Sequence, residues 1–218
     1  MIYRNVTKEQ LIDIVTLAVK EALKPQEKRV PVGISMRHVH LSAGDLRYLF
    51  GAGYVLTPLK KLSQPGQFAA EECVDVIGPK GVLAQVRILG PVRNETQIEL
   101  AQTDCRSIGI KAPVRASGHL SGTPGVTLKG PCGELFVSQG VIIADRHIHL
   151  SPVQAAAWNL KDGDRVSVFV DGVKRGVMGG VLIRSNEMCE MDFHIDTDDG
   201  NAFQLSNGQL VTILEKEG

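Results

Sequence analysis

The sequence has little of what marks several classes of protein. Its 218 residues carry 24 basic and 24 acidic side chains, and the zero net charge gives no bulk attraction to nucleic acid. No apolar run is long enough to cross a membrane, so neither nucleic acid nor a membrane is expected as a partner. The four cysteines form no C-x-x-C pair and follow no secretory signal, so we expect reduced, buried thiols in a cytosolic protein.

Aromatic residues are also few, at 5%, whereas glycine occurs 23 times. This composition favours short strands joined by tight turns. Turn residues recur between positions 55 and 140, for example at 78–81, where Gly-Pro-Lys-Gly separates two apolar stretches. Evenly spaced strands of this kind predict a mainly β protein built from small β-barrels rather than a doubly wound sheet.

Histidine occurs only six times, and four of the six lie in a motif that the chain contains twice. Residues 37–42 read Arg-His-Val-His-Leu-Ser, and residues 146–151 read Arg-His-Ile-His-Leu-Ser. The copies are 109 positions apart, which favours two domains. Each follows an apolar stretch typical of a buried strand. Each ends in a serine suited to cap a helix, so we expect short helices through Phe50 and over Val153–Leu160.

The spacing within the motif suggests metal binding. Residues i and i+2 of a strand point to the same face, so His38 and His40 present two imidazoles side by side, as do His147 and His149. The residue between each pair points into a core. Zn²⁺ takes histidine and carboxylate ligands at catalytic sites. The alternative is two histidine pairs on surface strands with no ligand, but a near-identical repeat in a histidine-poor chain favours a metal.

Further candidate ligands lie outside the repeated motif. Glu99 lies on a predicted strand and is a candidate third ligand for the first pair, and Arg93 just before it is a candidate anion-binding group. The alternative for both is a solvated strand face. His194 is a candidate third ligand for the second pair, with Asp196 on its face as a candidate hydrogen-bond partner for the ring. His119 is expected in a loop.

One long helix is predicted near the start of the chain, over residues 7–24. Thr7 and Gln10 form a capping box, apolar residues recur at helical spacing, and Pro25 ends the helix. A polar linker follows it. The apolar face of this helix packs on its own domain or a sister subunit, or it docks the protein to a larger assembly.

The motifs together resemble the PduL-type phosphate acyltransferases, or phosphate propanoyltransferases, from Val30 to about Asn201. They are Pro31–Ser42, Gln64–Glu71, Gly78–Gly81, Arg87–Arg93, Arg146–Ser151 and His194–Asp198. The resemblance implies two β-barrels facing each other around a site with two zinc ions. It implies a split first barrel of residues 27–36 and 146–218, a second barrel of residues 37–145, and a preceding helix and linker over residues 1–26.

The resemblance also implies the reaction, which is the reversible conversion of acyl-CoA and phosphate to acyl phosphate and CoA, with propanoyl or acetyl as the acyl group. One zinc would be held by His38, His40 and Glu99, and the other by His147, His149 and His194. Arg93 would be catalytic and would bind phosphate. The implied CoA contacts are Ile34, Ser35, Met36, Lys80, Arg87 and Asn201.

Two rival functions use the same ligands. A zinc hydrolase would attack a thioester or amide with metal-bound hydroxide, but it would not need Arg93, Lys80 and Arg87 near the metals. A metal-stabilised β module with no enzymatic role is the other, although structural zinc sites are usually rich in cysteine. A three-histidine site could also hold cobalt or iron. The resemblance implies a location in a bacterial microcompartment, with residues 7–24 as a contact to shell or cargo, and the cytoplasm is the alternative. The apolar helix favours a homo-oligomer.

Overall fold

The computed structural model describes residues 7–22 and 27–217. The strands in chain order are β1 (Arg29–Ser35), β2 (His38–His40), β3 (Pro58–Lys61), β4 (Phe68–Ile77), β5 (Val82–Gly90), β6 (Gln97–Glu99), β7 (Val114–Arg115), β8 (Val126–Lys129), β9 (Glu134–Val137), β10 (Val141–Ala144), β11 (His147–Leu150), β12 (Arg165–Val170), β13 (Gly176–Ser185), β14 (Asp192–Asp196) and β15 (Leu210–Lys216). The helices are α1 (Lys8–Ala22), α2 (Ala43–Phe50), α3 (Gln102–Ile108), α4 (Pro152–Ala157) and α5 (Thr197–Phe203). The prediction of a mainly β protein is confirmed.

Six of the strands close into a barrel, in the order β1, β14, β11, β13, β12 and β15. The first strand closes it, because β1 runs parallel to β14 on one side and antiparallel to β15 on the other. Alternate side chains point inward and form an apolar core that includes Ile148, Val168 and Phe193, none of which is exposed to solvent. Closure leaves this set of strands without an unpaired edge.

The remaining nine strands form one sheet that curls as a half-barrel. Its order is β7, β10, β6, β2, β5, β4, β8 and β9, with β3 paired to β4. Its core includes Val39, Ile88 and Ile98. The sequence predicted a second barrel, and the structure differs in that the edge strands β7 and β9 do not pair with each other. A pattern of strands and turns predicts the strands, but it does not tell whether the edges of the sheet meet.

The chain passes between the barrel and the sheet directly before each histidine pair. β1 belongs to the barrel and β2 to the sheet, so the first passage is at residues 36–37. β10 belongs to the sheet and β11 to the barrel, so the second is at residues 145–146. Both histidine pairs therefore begin where the two units meet.

Short capped helices follow both pairs, as predicted. The Ser42 side chain accepts a hydrogen bond from the Asp45 N–H at 3.1 Å and begins α2. The Ser151 side chain accepts one from the Gln154 N–H at 3.3 Å and begins α4. α4 ends at Ala157 rather than at Leu160, because Asn159 takes a left-handed backbone conformation with φ of 56°.

The N-terminal helix begins as the capping box predicts. The Thr7 N–H donates to Gln10 Oε1 at 3.0 Å, and the Gln10 N–H donates to Thr7 Oγ1 at 3.2 Å. Apolar side chains of α1 are exposed to solvent, among them Leu11 at 55% and Leu17 at 66%. The predicted end at residues 24–25 lies outside the described residues. Among the helices that the structure describes, none is long and apolar enough to cross a membrane.

The four cysteines are free, as predicted, but they are not all buried. Cys105 and Cys189 are buried, Cys73 is half-buried and Cys132 is exposed. Cys132 lies in the turn between β8 and β9, where its N–H donates to the Leu49 carbonyl at 3.0 Å. The backbone of this turn is thus tied to α2, while the thiol stays in solvent.

Candidate active site between the barrel and the sheet

The first cluster of possible metal ligands lies on two neighbouring strands of the sheet. His38 and His40 are on β2, and the antiparallel register sets Glu99 of β6 opposite His38. The Glu99 carboxylate oxygens lie 3.4 Å from His38 Nε2 and 3.8 Å from His40 Nε2. Val39 points the other way and is fully buried in the core of the sheet. The period-two spacing thus supplies two donors, and the strand register supplies the third.

The second cluster has the same plan in the barrel. His147 and His149 are on β11, and the antiparallel register sets His194 of β14 opposite His147. The Nε2 atoms of His147 and His149 are 3.2 Å apart, and each ring centroid lies about 5 Å from that of His194. One possible donor atom from each of the three histidines lies within 4.8 Å of the other two. These are the two groups of three that the sequence predicted as ligand sets.

Backbone carbonyls orient three of the rings. Nδ1 lies 2.8 Å from the Met36 carbonyl oxygen in His38, 3.1 Å from that of Leu89 in His40 and 2.8 Å from that of Asp145 in His147. A carbonyl only accepts, so in these rings Nδ1 carries a hydrogen and Nε2 is the nitrogen available to a metal. In both copies of the motif the first histidine is oriented by the carbonyl two residues before it. The rings are therefore held with Nε2 directed into the clusters.

The fourth ring contacts a residue that the sequence gave no reason to choose. His149 Nδ1 lies 3.3 Å from Cys189 Sγ, a buried thiol between β13 and β14. No spacing rule links the two positions, because they are 40 residues apart in the sequence and the contact joins a loop to a strand. Cys189 thus contacts the His149 ring at Nδ1, whereas the Nε2 atom of the same ring lies near His147.

The partner of His194 is Asp192, and the prediction of Asp196 is wrong. Asp192 Oδ2 lies 3.0 Å from His194 Nε2, with Ser63 Oγ at 3.3 Å from the same nitrogen. The Asp196 carboxylate instead accepts the Asp199 N–H at 2.9 Å and caps α5. Both aspartates are two residues from His194, so strand periodicity does not distinguish them. The start of a helix after Asp196 decides between them.

Burial and neighbouring charge keep most of these imidazoles neutral. Burial, with the charge of His38 beside it, lowers the pKa of His40 to about 3. Burial also lowers the pKa of His147 to about 4 and of His149 to about 3. Burial alone would raise the pKa of Glu99, but the His38 imidazole outweighs it and holds that pKa well below its usual range. A neutral imidazole and an ionised carboxylate are the forms that bind a metal.

Arg93 lies beside the first cluster. Its backbone N–H donates to the Leu41 carbonyl at 2.9 Å, and its Nη1 donates to Ser117 Oγ at 3.0 Å. Ser117 also accepts from Gln97 Nε2 at 2.8 Å, so a polar network connects the guanidinium to the strand that carries Glu99. Ser117 is another residue that sequence reasoning missed. His119 is exposed in a loop, as predicted.

Both clusters and Arg93 line one cavity of about 950 Å³ between the barrel and the sheet. Of the residues implied as CoA contacts, Ile34, Ser35, Met36 and Arg87 line it too. Arg87 Nη1 donates to the carbonyls of Ala70 at 3.1 Å and Glu71 at 2.7 Å, which fixes its direction.

Two residues implied as CoA contacts do not line this cavity. Lys80 sits on the turn between β4 and β5, where its N–H donates to the Ile108 carbonyl at 3.0 Å and its stem packs on Gly109. Asn201 is exposed on α5. A contact of either residue with CoA therefore stays a prediction.

Comparison with known proteins gives a consistent family. A family model described as phosphate propanoyltransferase matches residues 31–206. A protein of Thermotoga maritima is 52% identical over 191 residues, covering 87% of this chain and 91% of its own. A protein of Shewanella putrefaciens is 47% identical, covering 93% and 96%, and one of Salmonella typhimurium is 45% identical, covering 89% and 91%. All three are named phosphate propanoyltransferase, and the chain therefore belongs to the phosphate propanoyltransferase family of acyltransferases.

Proposed function

We propose that the chain transfers a propanoyl or acetyl group reversibly between CoA and inorganic phosphate, at a site that holds two zinc ions. The observation that carries this proposal is that two clusters of metal-binding side chains and Arg93 line the same cavity. The chain's family supports the transfer of an acyl group to phosphate. The cavity, at about 950 Å³, is large enough for a substrate of the size of an acyl-CoA headpiece.

The side chains present fit zinc. His38, His40 and Glu99 would hold one ion, and His147, His149 and His194 the other. Each site would have three ligands drawn from histidine and carboxylate, which leaves a coordination position for a substrate atom. This is the donor set of a catalytic rather than a structural zinc site. The orientation of Nδ1 toward carbonyls in three rings supports this, because it leaves Nε2 free as a donor. When bound, the ions would supply Lewis-acid polarisation of the thioester and stabilise the departing thiolate.

The residues of the chain then have separate roles. Arg93 offsets the negative charge of phosphate and orients one oxygen toward the thioester carbonyl carbon. That oxygen forms the new C–O bond, the C–S bond breaks, and the sulfur leaves with its electron pair as CoA thiolate. Ile34, Ser35 and Met36 border the cavity where CoA would enter, and Arg87 would contact its phosphates. No covalent acyl-enzyme is required.

The test is CoA release from propanoyl-CoA and from acetyl-CoA, with and without phosphate, on protein of measured zinc content. We expect release to require phosphate, acyl phosphate to accumulate, and two zinc ions per chain. The faster of the two substrates identifies the physiological acyl group. Equal release without phosphate would identify a zinc hydrolase of thioesters instead.

The Arg93→Ala variant tests the anion site. Loss of a charge-assisted contact to phosphate should raise the KM for phosphate by about tenfold or more. Arg106→Ala is the matched control, because Arg106 is an exposed arginine at the end of α3 and does not line the cavity. Unchanged kinetics with phosphate in Arg93→Ala would remove Arg93 from the mechanism.

The same proposal extends to assembly and location. The chain would act as a homo-oligomer in the cytoplasm or inside a bacterial microcompartment, with residues 7–24 as the element that contacts shell or cargo. The exposed apolar side chains of α1 support a contact of this kind. Deletion of residues 1–26 should leave zinc content and activity unchanged while altering oligomeric state or co-sedimentation with microcompartments. Unaltered assembly in both assays would leave the helix without this role.

A further inference from the structure

One charged side chain in the cavity has no role in the function described so far. Arg184 lies near the end of β13 and lines the cavity with both clusters. The parallel register of β11 and β13 sets it directly beside His149. Neighbours in register on adjacent strands point to the same face of a sheet, so the guanidinium is on the face that carries the second cluster.

The position of Arg184 has a counterpart in the other half of the molecule. Each histidine strand is flanked by one antiparallel strand that carries the third cluster residue and one parallel strand that carries an arginine. In the sheet, β5 sets Arg87 beside His38. In the barrel, β13 sets Arg184 beside His149. The two halves thus offer an arginine at nearly equivalent places, yet only Arg87 belonged to a motif that pointed to a ligand.

The two arginines differ in what they contact. Arg87 donates to two backbone carbonyls and is held on the wall of the cavity. Other arginines form ion pairs with carboxylates, for example Arg146 with Asp199 at 2.9 Å and Arg165 with Asp145 at 2.7 Å. Within residues 7–22 and 27–217, no carboxylate forms an ion pair with Arg184. A half-buried guanidinium without a counter-anion is costly, so this group is suited to an anion that arrives from outside.

Arg184 and Arg93 line the same cavity. Burial lowers the pKa of Arg93, Glu99 opposes the effect, and Arg184 adds to it. One guanidinium comes from the sheet and the other from the barrel. Two like charges that line one cavity repel each other, and an anion bound between them would offset that repulsion.

We infer that Arg184 is a second binding residue for the phosphoryl group of the reaction, on the barrel side of the cavity that Arg93 lines from the sheet side. The inference rests on the proposed function, since it takes phosphate and acyl phosphate as the anions bound. A phosphoryl group between the two guanidinium groups would be bound by residues of both the barrel and the sheet. Its binding would then depend on the barrel and the sheet together, and a change in either side of the cavity would weaken it.

The test uses zinc-loaded, full-length protein with Arg184→Ala and Arg184→Lys, and Arg175→Ala as the matched control. Arg175 is an exposed arginine in the turn that precedes β13. We expect Arg184→Ala to raise the KM for phosphate and for acyl phosphate by about 10- to 100-fold. The KM for CoA and the zinc content should stay within about twofold of wild type. Arg184→Lys should restore part of the affinity, and Arg175→Ala should change none of these quantities.

A second readout does not depend on turnover. Inorganic phosphate should raise the melting temperature of the wild-type protein relative to chloride at equal ionic strength, because it binds the folded state. The shift should be much smaller in Arg184→Ala and unchanged in Arg175→Ala.

Three outcomes would overturn the inference. They are an unchanged phosphate KM with an unchanged thermal shift, a rise in the KM for CoA alone, and a loss of zinc whose replacement restores the phosphate KM. The second would assign Arg184 to the CoA phosphates and the third to support of His149. A wild-type protein that releases CoA without phosphate would refute the proposed function itself, and that result is visible before any Arg184 variant is made.

Discussion

Substitution of Glu99 by Gln should empty one metal site and spare the other. Glu99 is the only carboxylate in the first cluster, and its oxygens lie 3.4 Å and 3.8 Å from the two histidine nitrogens. Loss of a partner that merely supports a metal ligand lowers metal affinity by about 10- to 100-fold. Glu99 is itself a donor, and Gln keeps its size but loses its charge, so a fall of more than about 100-fold is expected at this site.

The assay is zinc content after dialysis against a chelator of graded strength, followed by competition titration. Wild-type protein should hold two ions, and Glu99→Gln should hold one over a range of chelator in which wild type holds both. Glu95→Gln is the control, because Glu95 is exposed in the loop before β6 and carries the same charge. Two ions held with wild-type resistance in Glu99→Gln would refute the assignment of Glu99 as a ligand.

The same variant tests the electrostatics without a metal. Burial lowers the pKa of His38, but the Glu99 carboxylate outweighs it and the pKa ends above its usual value. In metal-free Glu99→Gln burial and the Arg93 charge both lower the pKa and only the hydrogen bond to the Met36 carbonyl opposes them, so the His38 pKa should fall below about 6.5. Histidine titration by NMR measures it, and an unchanged value would show that the two groups are farther apart than the structure has them.

Three further predictions concern the second cluster and the fold around it. Asp192→Asn should weaken zinc binding there by about 10- to 100-fold in the chelator assay, whereas Asp196→Asn, which keeps a good helix cap, should leave zinc content unchanged. Ile148→Ala should lower the free energy of unfolding by about 2–5 kcal/mol in denaturant titrations, since the side chain between His147 and His149 is fully buried in the barrel core. A loss under about 1 kcal/mol would argue against this packing. In metal-free protein the pKa values of about 3 for His40 and His149 lie below the unfolded value of about 6.5. The unfolded state therefore takes up more protons as pH falls below about 6.5, so thermal melts should show stability declining from there toward pH 3, and stability that is flat over this range would contradict it.

The sequence predicts those parts of the molecule that follow from local rules. Period-two spacing directs His38 and His40 to one face and buries Val39, and the same holds around Ile148. Serine at the end of each motif predicts the helices that follow. These features need only the geometry of a single strand or a single helix turn, and for that reason they can be derived from neighbouring residues.

Other features depend on strand register and on long-range contacts. Asp192 and Asp196 are equivalent by strand spacing, and only the helix after Asp196 separates them. Arg184 reaches the second cluster through a strand, and Cys189 through a loop, that the sequence does not place beside β11. The half-barrel likewise depends on whether distant edges meet. Local patterns contain no information on such pairings, because they are fixed by the packing of the whole core.

The two points at which the chain crosses between barrel and sheet determine which cluster can form first during synthesis. The first cluster uses residues up to Glu99, all within the sheet, so it can assemble while the rest of the chain is still being made. The second needs His194, and the barrel around it closes only when β1 meets β14 and β15, nearly a whole chain length away. Pairings this distant in sequence form slowly. Until β14 emerges from the ribosome β1 has no partner for either edge, and the barrel stays open until β15 follows. A newly made chain can therefore complete its first ligand set before its second.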